Sequence, residues 1–369
     1  MRQVFDRREF GVEFAWSELT GAVGDSVTVL PIVVTVAVLT DLSLTVMLVW
    51  FGTFQIVWGL YYGIPISIEP MKALAALVIA GSITTGELLL AGLVLGAALL
   101  VLGGTGSLSR LGRYVGNPVV RAIQFGVALV LLETGLRLGA ADFRLAGLAA
   151  VVALAFIAVG YRNFGAFAAL LVGGAVAALQ TGLPAPTLPP VPSGFVQVGS
   201  LSLTTGTIEA ALGQFAMTIG NAALAASILL GDYFDRNISP DELSMSMGAM
   251  NLAGVPFGAF PMCHGSGGIA GKYAFGARTA GANVILGVAY IAVALLAVGM
   301  VTAYPTAVLG VILVLVAAQL GWTGLRETDS TLFAVTIGVL GLLVNLAAAF
   351  LVGIVLSLGV RRFSGEAIP

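Results

Sequence analysis

Two matched interruptions in otherwise apolar segments constrain this chain more than any other feature. The first reads Gly63-Ile64-Pro65-Ile66-Ser67-Ile68-Glu69-Pro70-Met71-Lys72. The second reads Gly258-Ala259-Phe260-Pro261-Met262-Cys263-His264-Gly265-Ser266-Gly267-Gly268. Gly24-Asp25 precedes Pro65 by 41 and 40 residues, and Gly220-Asn221 precedes Pro261 by the same 41 and 40. Proline removes a backbone donor and glycine loosens the chain on either side, so neither segment continues as one regular helix.

Such breaks, repeated at corresponding points of two apolar halves, are the pattern of a secondary carrier whose site lies at the bilayer midplane. Composition supports a membrane setting. The chain is 59% hydrophobic and 9% charged, whereas soluble domains carry about 25% charged residues. The 49 glycines suit close helix contact in lipid. Net charge is −2, and no basic tract suggests nucleic acid as a partner. The single cysteine, Cys263, excludes an internal disulfide and a CxxC metal site, so neither metal nor cofactor is expected. Met1–Phe14 is charged and polar without an apolar core, so no cleavable signal peptide is expected.

Apolar runs fall at 14–38, 43–62, 70–84, 87–104, 115–136, 145–159 and 164–180, then at 207–230, 242–256, 266–276, 282–301, 303–320, 330–344 and 346–361. A crossing needs about 20 residues, so the third and tenth runs read as half-helices. Pro184, Pro186, Pro189, Pro190 and Pro192 mark an extended connector without charge. The expectation is therefore an all-α polytopic membrane protein of about fourteen segments. Residues 1–182 form a first repeat, 183–206 a Pro-rich connector and 207–369 a second, inverted repeat.

Arginine placement tests the count. With both termini cytoplasmic, Arg2, Arg7, Arg8, Arg110, Arg113, Arg162, Arg236, Arg278, Arg326, Arg361 and Arg362 share one side, and only Arg137 and Arg144 lie opposite. That asymmetry is what the positive-inside rule requires. A multi-pass protein of the cell (plasma) membrane with cytoplasmic termini is the consequence.

A helix that begins inside the membrane leaves its first amides unsatisfied, with about half a positive charge at that end. Pro70 fits a first helical position, with Glu69 as its N-cap and Met71 following. In the second break, His264, Gly265, Ser266, Gly267 and Gly268 let backbone N–H groups approach a ligand, with Ser266 as N-cap. Two such tips facing one cavity favour an anion. Lys72 opposes the dipole of its own half-helix and needs a compensating charge, either Glu69 or a bound anion. The two readings are compatible if the lysine changes partner on loading.

Asp25 and Asn221 occupy related places in the first and eighth segments, with Gln214 and Thr218 on roughly the face of Asn221. Arg121 and Gln124 start the fifth segment and Glu133 ends it; they either line the pathway or satisfy neighbouring helices. Glu209, Asp232 and Asp235 sit at segment ends and read as solvated. Asp25, Glu69 and His264 are the candidates for coupling transport to protons.

The stretches Ser17–Pro31, Ile68–Ala76, Val119–Gly126 and, above all, Met250–Gly281 resemble the molybdate/sulphate transporter family of plants, fungi and prokaryotes. The last holds the long ungapped pattern P-x-CHG-x-GG-x-AG-x-Y-x-FGAR. The family resembles the sulphate-permease and uracil-permease fold. That likeness implies seven-plus-seven inverted repeats, a core of segments one to four and eight to eleven, and a gate of five to seven and twelve to fourteen. It places substrate between the third and tenth segments. It implicates Pro70, Met71, Lys72, Pro261, Cys263, His264, Gly265, Gly267 and Gly268, with Asp25, Gln214, Thr218 and Asn221. It leaves a homodimer through the gate open. Glu69 departs from the family's usual glutamine, and Gly24-Asp25-Ser26-Val27-Thr28 departs from its first-segment pattern.

The leading expectation is a carrier of a small tetrahedral oxyanion such as molybdate or sulphate, with lipid as the surrounding partner. The alternative is a nucleobase or carboxylate carrier on the same architecture, kept open by Tyr61, Tyr62, Phe257 and Phe260 near the breaks. A channel lacks repeated carbonyl rings or a charge-ringed pore. An enzyme built on Cys263 and His264 lacks a third group to orient the base. No phosphate loop supports ATP-driven pumping.

Overall fold

The computed structural model describes residues 11–161, 164–182, 201–296 and 303–363. Among the described residues, fourteen apolar segments appear where the runs predict them. In the first half they are α1 (Trp16–Leu39), α2 (Leu44–Tyr62), α3 (Lys72–Ile79), α4 (Thr85–Gly104), α6 (Asn117–Gly139), α7 (Phe143–Ala158) and α8 (Gly165–Thr181). An unforeseen short helix, α5 (Leu108–Val115), joins α4 to α6. The second half opens with α9 (Thr205–Met217), a π-helical stretch (Thr218–Ala225) and α10 (Ala226–Phe234), which form one continuous segment. It continues with α11 (Pro240–Gly254), α12 (Ser266–Ala274), α13 (Gly281–Leu296), α14 (Thr306–Arg326), α15 (Thr331–Leu343) and α16 (Leu346–Phe363). Six of these, counting α9 to α10 as one, are long and apolar enough to cross a membrane alone. The chain is a multi-pass membrane protein. The proline-rich run 183–200 and Arg2, Arg7, Arg8 and Arg162 lie outside the described residues.

Local chemistry sets the segment ends. Thr84 and Glu87 form a capping box at α4, while Ser43, Asp142, Ser239 and Ser330 cap α2, α7, α11 and α15. These side chains satisfy amides that have no partner one turn back. Gly63 closes α2 with φ 69°, a left-handed conformation that glycine adopts without steric cost. Glu18, itself buried, accepts from the amides of Arg278, Thr279 and Ala282 at 2.8, 3.0 and 3.1 Å and anchors the start of α1 to the start of α13.

The packing repeats itself across the two halves. α1 lies on α12, as α9 lies on α3; α2 pairs with α13, as α11 pairs with α4. α7 packs on α8, as α15 packs on α16, and α6 runs against α14. Each contact is the image of another under exchange of the first segment for the eighth, the second for the ninth, and so on. The two halves therefore repeat one pattern of helix contacts. The helices come close enough that a Cβ on Gly52 would fall 2.5 Å from the Gly287 carbonyl, and one on Gly287 2.5 Å from that of Gly52. Without a hydrophobic force between helices in lipid, such close approach is what holds them together.

The two breaks meet. Glu69–Pro70 (β1) pairs antiparallel with Met262–Cys263 (β2), Glu69 opposite Cys263 and Pro70 opposite Met262. Met71 N donates to Pro261 O at 2.9 Å. Asn251 of α11 clamps the second strand from the other side: its Oδ1 accepts from Met262 N at 2.8 Å and its Nδ2 donates to Met262 O at 2.7 Å. Extended backbone survives at this depth because its polar groups are paired within protein.

Two start positions differ from the sequence reading. α3 begins at Lys72 with Met71 as N-cap, so Pro70 is a strand residue and Glu69 is not the cap. α12 begins at Ser266 with Gly265 as N-cap. The ladder explains both shifts, since it holds Glu69–Pro70 and Met262–Cys263 extended and delays helix onset.

Candidate functional site

Each half-helix presents its N-terminus towards the other across the ladder. On α3, Gln214 of α9 reaches over with its side-chain carbonyl, accepting from Ala73 N at 2.9 Å and Leu74 N at 3.4 Å. Gln214 Nε2 donates to Thr218 Oγ1 at 3.0 Å, which fixes the amide's orientation. On α12, Glu69 takes the corresponding role. Its Oε1 accepts from Gly268 N at 2.7 Å while Oε2 pairs with Lys72 Nζ at 2.6 Å. Among the described residues, the N–H groups of Lys72, Ser266 and Gly267 have no hydrogen-bond acceptor.

Glycine makes room for this arrangement. A Cβ on Gly265 would fall 1.9 Å from the Glu69 carboxyl carbon, and one on Gly268 would fall 2.1 Å from Ser67 Oγ and 2.2 Å from Asp25 Oδ1. A Cβ on Gly267 would meet nothing within 4 Å. The α12 tip is thus packed solid on one side and open on the other.

The open side is the end of a cavity of about 610 Å³ between the core and gate segments. Lys72, Asn221, Ser266 and Gly267 line it from the core. Arg121, Gln124, Gln319, Thr323 and Glu327 line it from α6 and α14 and the loop that follows. Arg121 pairs with Glu327 Oε2 at 2.6 Å, and its other donors reach Asn117 Oδ1 at 3.1 Å and Gln124 Oε1 at 2.9 Å. Ser266 Oγ donates to Asn221 Oδ1, joining the α12 tip to the π-helical stretch. A π turn re-aims the residues that follow it and is frequent at functional sites.

The residues singled out from sequence therefore separate into groups. Lys72, Asn221, Ser266 and Gly267 face the cavity. Glu69, Gly265, Gly268 and Gln214 stand just behind them and shape the tips. Pro70, Met71 and Cys263 belong to the ladder and its edge, buried and away from the cavity lining. His264 is fully buried: Nδ1 lies 3.1 Å from Ser67 O and Nε2 2.6 Å from Ser246 Oγ. A carbonyl only accepts, so Nδ1 carries a hydrogen; Ser246 Oγ lies 2.9 Å from the Leu243 carbonyl oxygen as well as beside Nε2. Tyr62 OH donates in turn to Ser246 Oγ at 2.9 Å. Arg121 and Gln124 both line the cavity and bond neighbours, whereas Glu133 is exposed elsewhere.

Asp25 lies inside the core and is fully buried. Its Oδ2 pairs with Lys272 Nζ at 3.1 Å and accepts from Gln55 Nε2 at 2.9 Å, and its Oδ1 accepts from Ser67 Oγ at 2.7 Å. Sequence reasoning passed over Ser67, Gln55, Asn283 and Lys272, which complete this cluster. A signal was present: Lys72 and Lys272 are the chain's two lysines, and both fall within the half-helices.

The chain is similar to known membrane transporters. A family model described as a molybdate transporter of the MFS superfamily matches residues 17–131 and 206–320. The chain is 30% identical to Molybdate transporter 2 of Arabidopsis thaliana over 360 residues, covering 82% of this chain and 78% of that protein. It is 26% identical to Molybdate transporter 1 of Chlamydomonas reinhardtii, over 97% and 94% of the two chains. Among solved structures, the transmembrane domain of the cyanobacterial bicarbonate transporter BicA aligns with TM-score 0.65 at 19% identity, over 92% of this chain and 98% of that one. Murine Solute Carrier 26 family member A9, an anion transporter captured inward-facing, aligns with TM-score 0.69 at 13% identity, over 95% and 69%. At these identities the likeness is one of fold. It is a fold of seven plus seven segments, not the two six-helix halves of the major facilitator arrangement.

Proposed function

The chain belongs to the molybdate transporter family, and from that premise we propose that it is a secondary carrier of a tetrahedral oxyanion, molybdate or sulphate, bound between the tips of α3 and α12. The observation that carries this reading is the trio of unpartnered N–H groups of Lys72, Ser266 and Gly267, beside the Lys72 ammonium, at the end of a cavity. Helix N-termini attract anions through the same N–H groups and the same partial positive charge. A dianion entering there would find donors from both halves and one full positive charge, in surroundings where charge is weakly screened.

Glu69 supplies the anion's place when the site is empty. Its carboxylate neutralises Lys72 and satisfies Gly268, so the unloaded tips cost less to keep in the membrane. An arriving oxyanion competes for Lys72 and crowds a second negative charge against Glu69. A proton on Glu69 would relieve that repulsion, which makes proton entry with the anion the coupling this geometry supports. Asp25 and His264 have no such position, since both are held in sealed hydrogen-bond networks.

With both termini cytoplasmic, the cavity opens inward: it is bounded by the start of α6, the C-terminal ends of α10 and α14, and the body of α12. Alternating access then consists of the core, carrying both tips, moving past the gate. The apolar outer face of α7, with Phe143, Leu148, Val151 and Leu154 exposed, suits lipid or a second copy. A nucleobase carrier would need aromatic faces at the tips. Tyr61, Tyr62, Phe257 and Phe260 all lie off the cavity lining.

Equilibrium binding of molybdate, tungstate, sulphate and uracil to the purified protein tests the proposal. Saturable binding of at least one tetrahedral oxyanion, with none of uracil, is the expected result. Uracil binding alone would replace the reading with the nucleobase carrier.

A further inference from the structure

Lys272 sits in a cage of oxygen atoms that the anion site does not explain. Its Nζ lies 3.1 Å from Asp25 Oδ2, 2.9 Å from Gln55 Oε1, 2.6 Å from the Ile66 carbonyl oxygen and 3.0 Å from Asn283 Oδ1. The four ligands come from α1, α2, the extended segment before β1, and α13, and the lysine is fully buried. The cage oxygens are themselves held in place. Gln55 Nε2 donates to Asp25 Oδ2 and to Ile68 O, and Asn283 Nδ2 donates to Gln55 O, Gln55 Oε1 and Ile66 O, at 2.7–3.3 Å. One carboxylate, two amide oxygens and one carbonyl converging on a single positive centre are the donor set of a hard-cation site.

We propose that this cluster is a monovalent-cation site whose ion is supplied by the chain itself, the Lys272 ammonium acting as a tethered cation. The charge count supports one positive charge, since Asp25 is the only carboxylate in the cage. The distances support a large ion: calcium and magnesium contact oxygen at about 2.3–2.6 and 2.0–2.1 Å, well inside most of the contacts here. Position supports a built feature as well. Lys272 occupies the last turn of α12, where a cation is favoured by the helix dipole. The site ties four elements of the core together around the first break, so its occupation holds α12 against the segment that carries Glu69. A tethered ion is present at every concentration of salt. The core of this protein accordingly assembles without sodium or potassium, and cutting the tether creates a requirement for a free cation.

The test compares melting temperatures of the purified full-length protein in choline, sodium, potassium and methylammonium chloride. Wild type is expected to melt alike in all four. Lys272→Ala leaves Asp25 facing an oxygen-lined hole and is expected to melt lower in choline. It should regain at least ~3 °C, saturably, in methylammonium or in potassium or sodium. Asp25→Asn/Lys272→Met removes both charges and is expected to show no cation-specific recovery. A Lys272→Ala protein that melts identically in choline and in the other three salts overturns the proposal.

If Lys272→Ala cannot be purified without added cation, purification in methylammonium decides. Recovery of folded protein supports the site. Failure there, with the neutral double variant also unfolded, reduces the cluster to packing and overturns it. Because melting needs no substrate, this outcome is independent of the oxyanion reading. Uptake adds a readout that rests on that reading: wild-type transport should be unchanged when choline replaces sodium and potassium on both sides. Dependence on either ion would place a coupling cation elsewhere and overturn the tethered role.

Discussion

The chain's two lysines are placed in opposite ways. Lys72 opens α3, where a positive charge works against the helix dipole; Lys272 closes α12, where it works with it. Lys72 lines the cavity with one ionic partner, Glu69, while Lys272 is sealed among four oxygens. The first is satisfied by a single contact that a ligand can replace. The second is satisfied by four oxygens and is fully buried. In the proposed reading, the charge that serves binding is left under-coordinated at a surface, whereas the charge that serves architecture is enclosed.

Four comparisons, drawn from five substitutions, break or sharpen that contrast. The largest effect is expected on the sealed side. Asp25→Ala strands Lys272 without its carboxylate, and loss of one partner of a buried pair costs about 3–5 kcal/mol. Denaturation should show the loss directly, and a melting temperature within a degree of wild type would mean the pair is not structural. Lys72→Met comes next. Oxyanion affinity is expected to fall at least ~100-fold, or about 2.7 kcal/mol, with melting little changed. Binding that survives in full would remove the charge from the cradle.

A glycine pair gives the third comparison. Gly268→Ala drives a methyl into Ser67 and Asp25 and is expected to cost ~1–3 kcal/mol of stability. Gly267→Ala points its methyl into open space. It should keep or slightly raise the melting temperature while weakening oxyanion binding ~10-fold, about 1.4 kcal/mol. Equal behaviour of the two variants would contradict the one-sided packing of the α12 tip. The smallest effect is expected from Glu69→Gln. The amide still accepts from Gly268 but no longer holds Lys72 by charge, so affinity for a dianion should rise ~3-fold, about 0.7 kcal/mol. A rate of uptake that keeps its wild-type pH dependence in this variant would take Glu69 out of proton coupling.

Much of the architecture is visible in the letters because lipid removes choices. A backbone that must satisfy itself leaves helix as the default, so segment positions follow from apolar runs and polar breaks. The breaks themselves follow from Pro65, Pro70 and Pro261 with their glycines. The start of α3 was misplaced by two residues because a two-residue ladder between distant segments leaves no local trace. Of the candidate site, Lys72, Ser266 and Gly267 are legible as polar or small residues beside a break, and Asn221 as a polar residue inside an apolar segment. The cage around Lys272 is not, since Gln55 and Asn283 are single amides in ordinary apolar helices. Only their convergence, 228 residues apart in sequence, gives them meaning. Helix α5 escaped because its alternation of Arg110 and Arg113 with apolar residues reads as a loop when crossings are being sought.

If the anion binds between the tips as proposed, the ladder between Glu69–Pro70 and Met262–Cys263 has a consequence for selectivity. It fixes the gap between the opposing tips by main-chain bonds, like the throat of a calliper locked at one setting. Side-chain changes around the mouth can alter how strongly an ion is gripped, yet the calibre is inherited from peptide geometry. Widening it would require unstitching two strands, the second of which Asn251 also holds, so a preference for ionic radius should outlast most mutations of the lining.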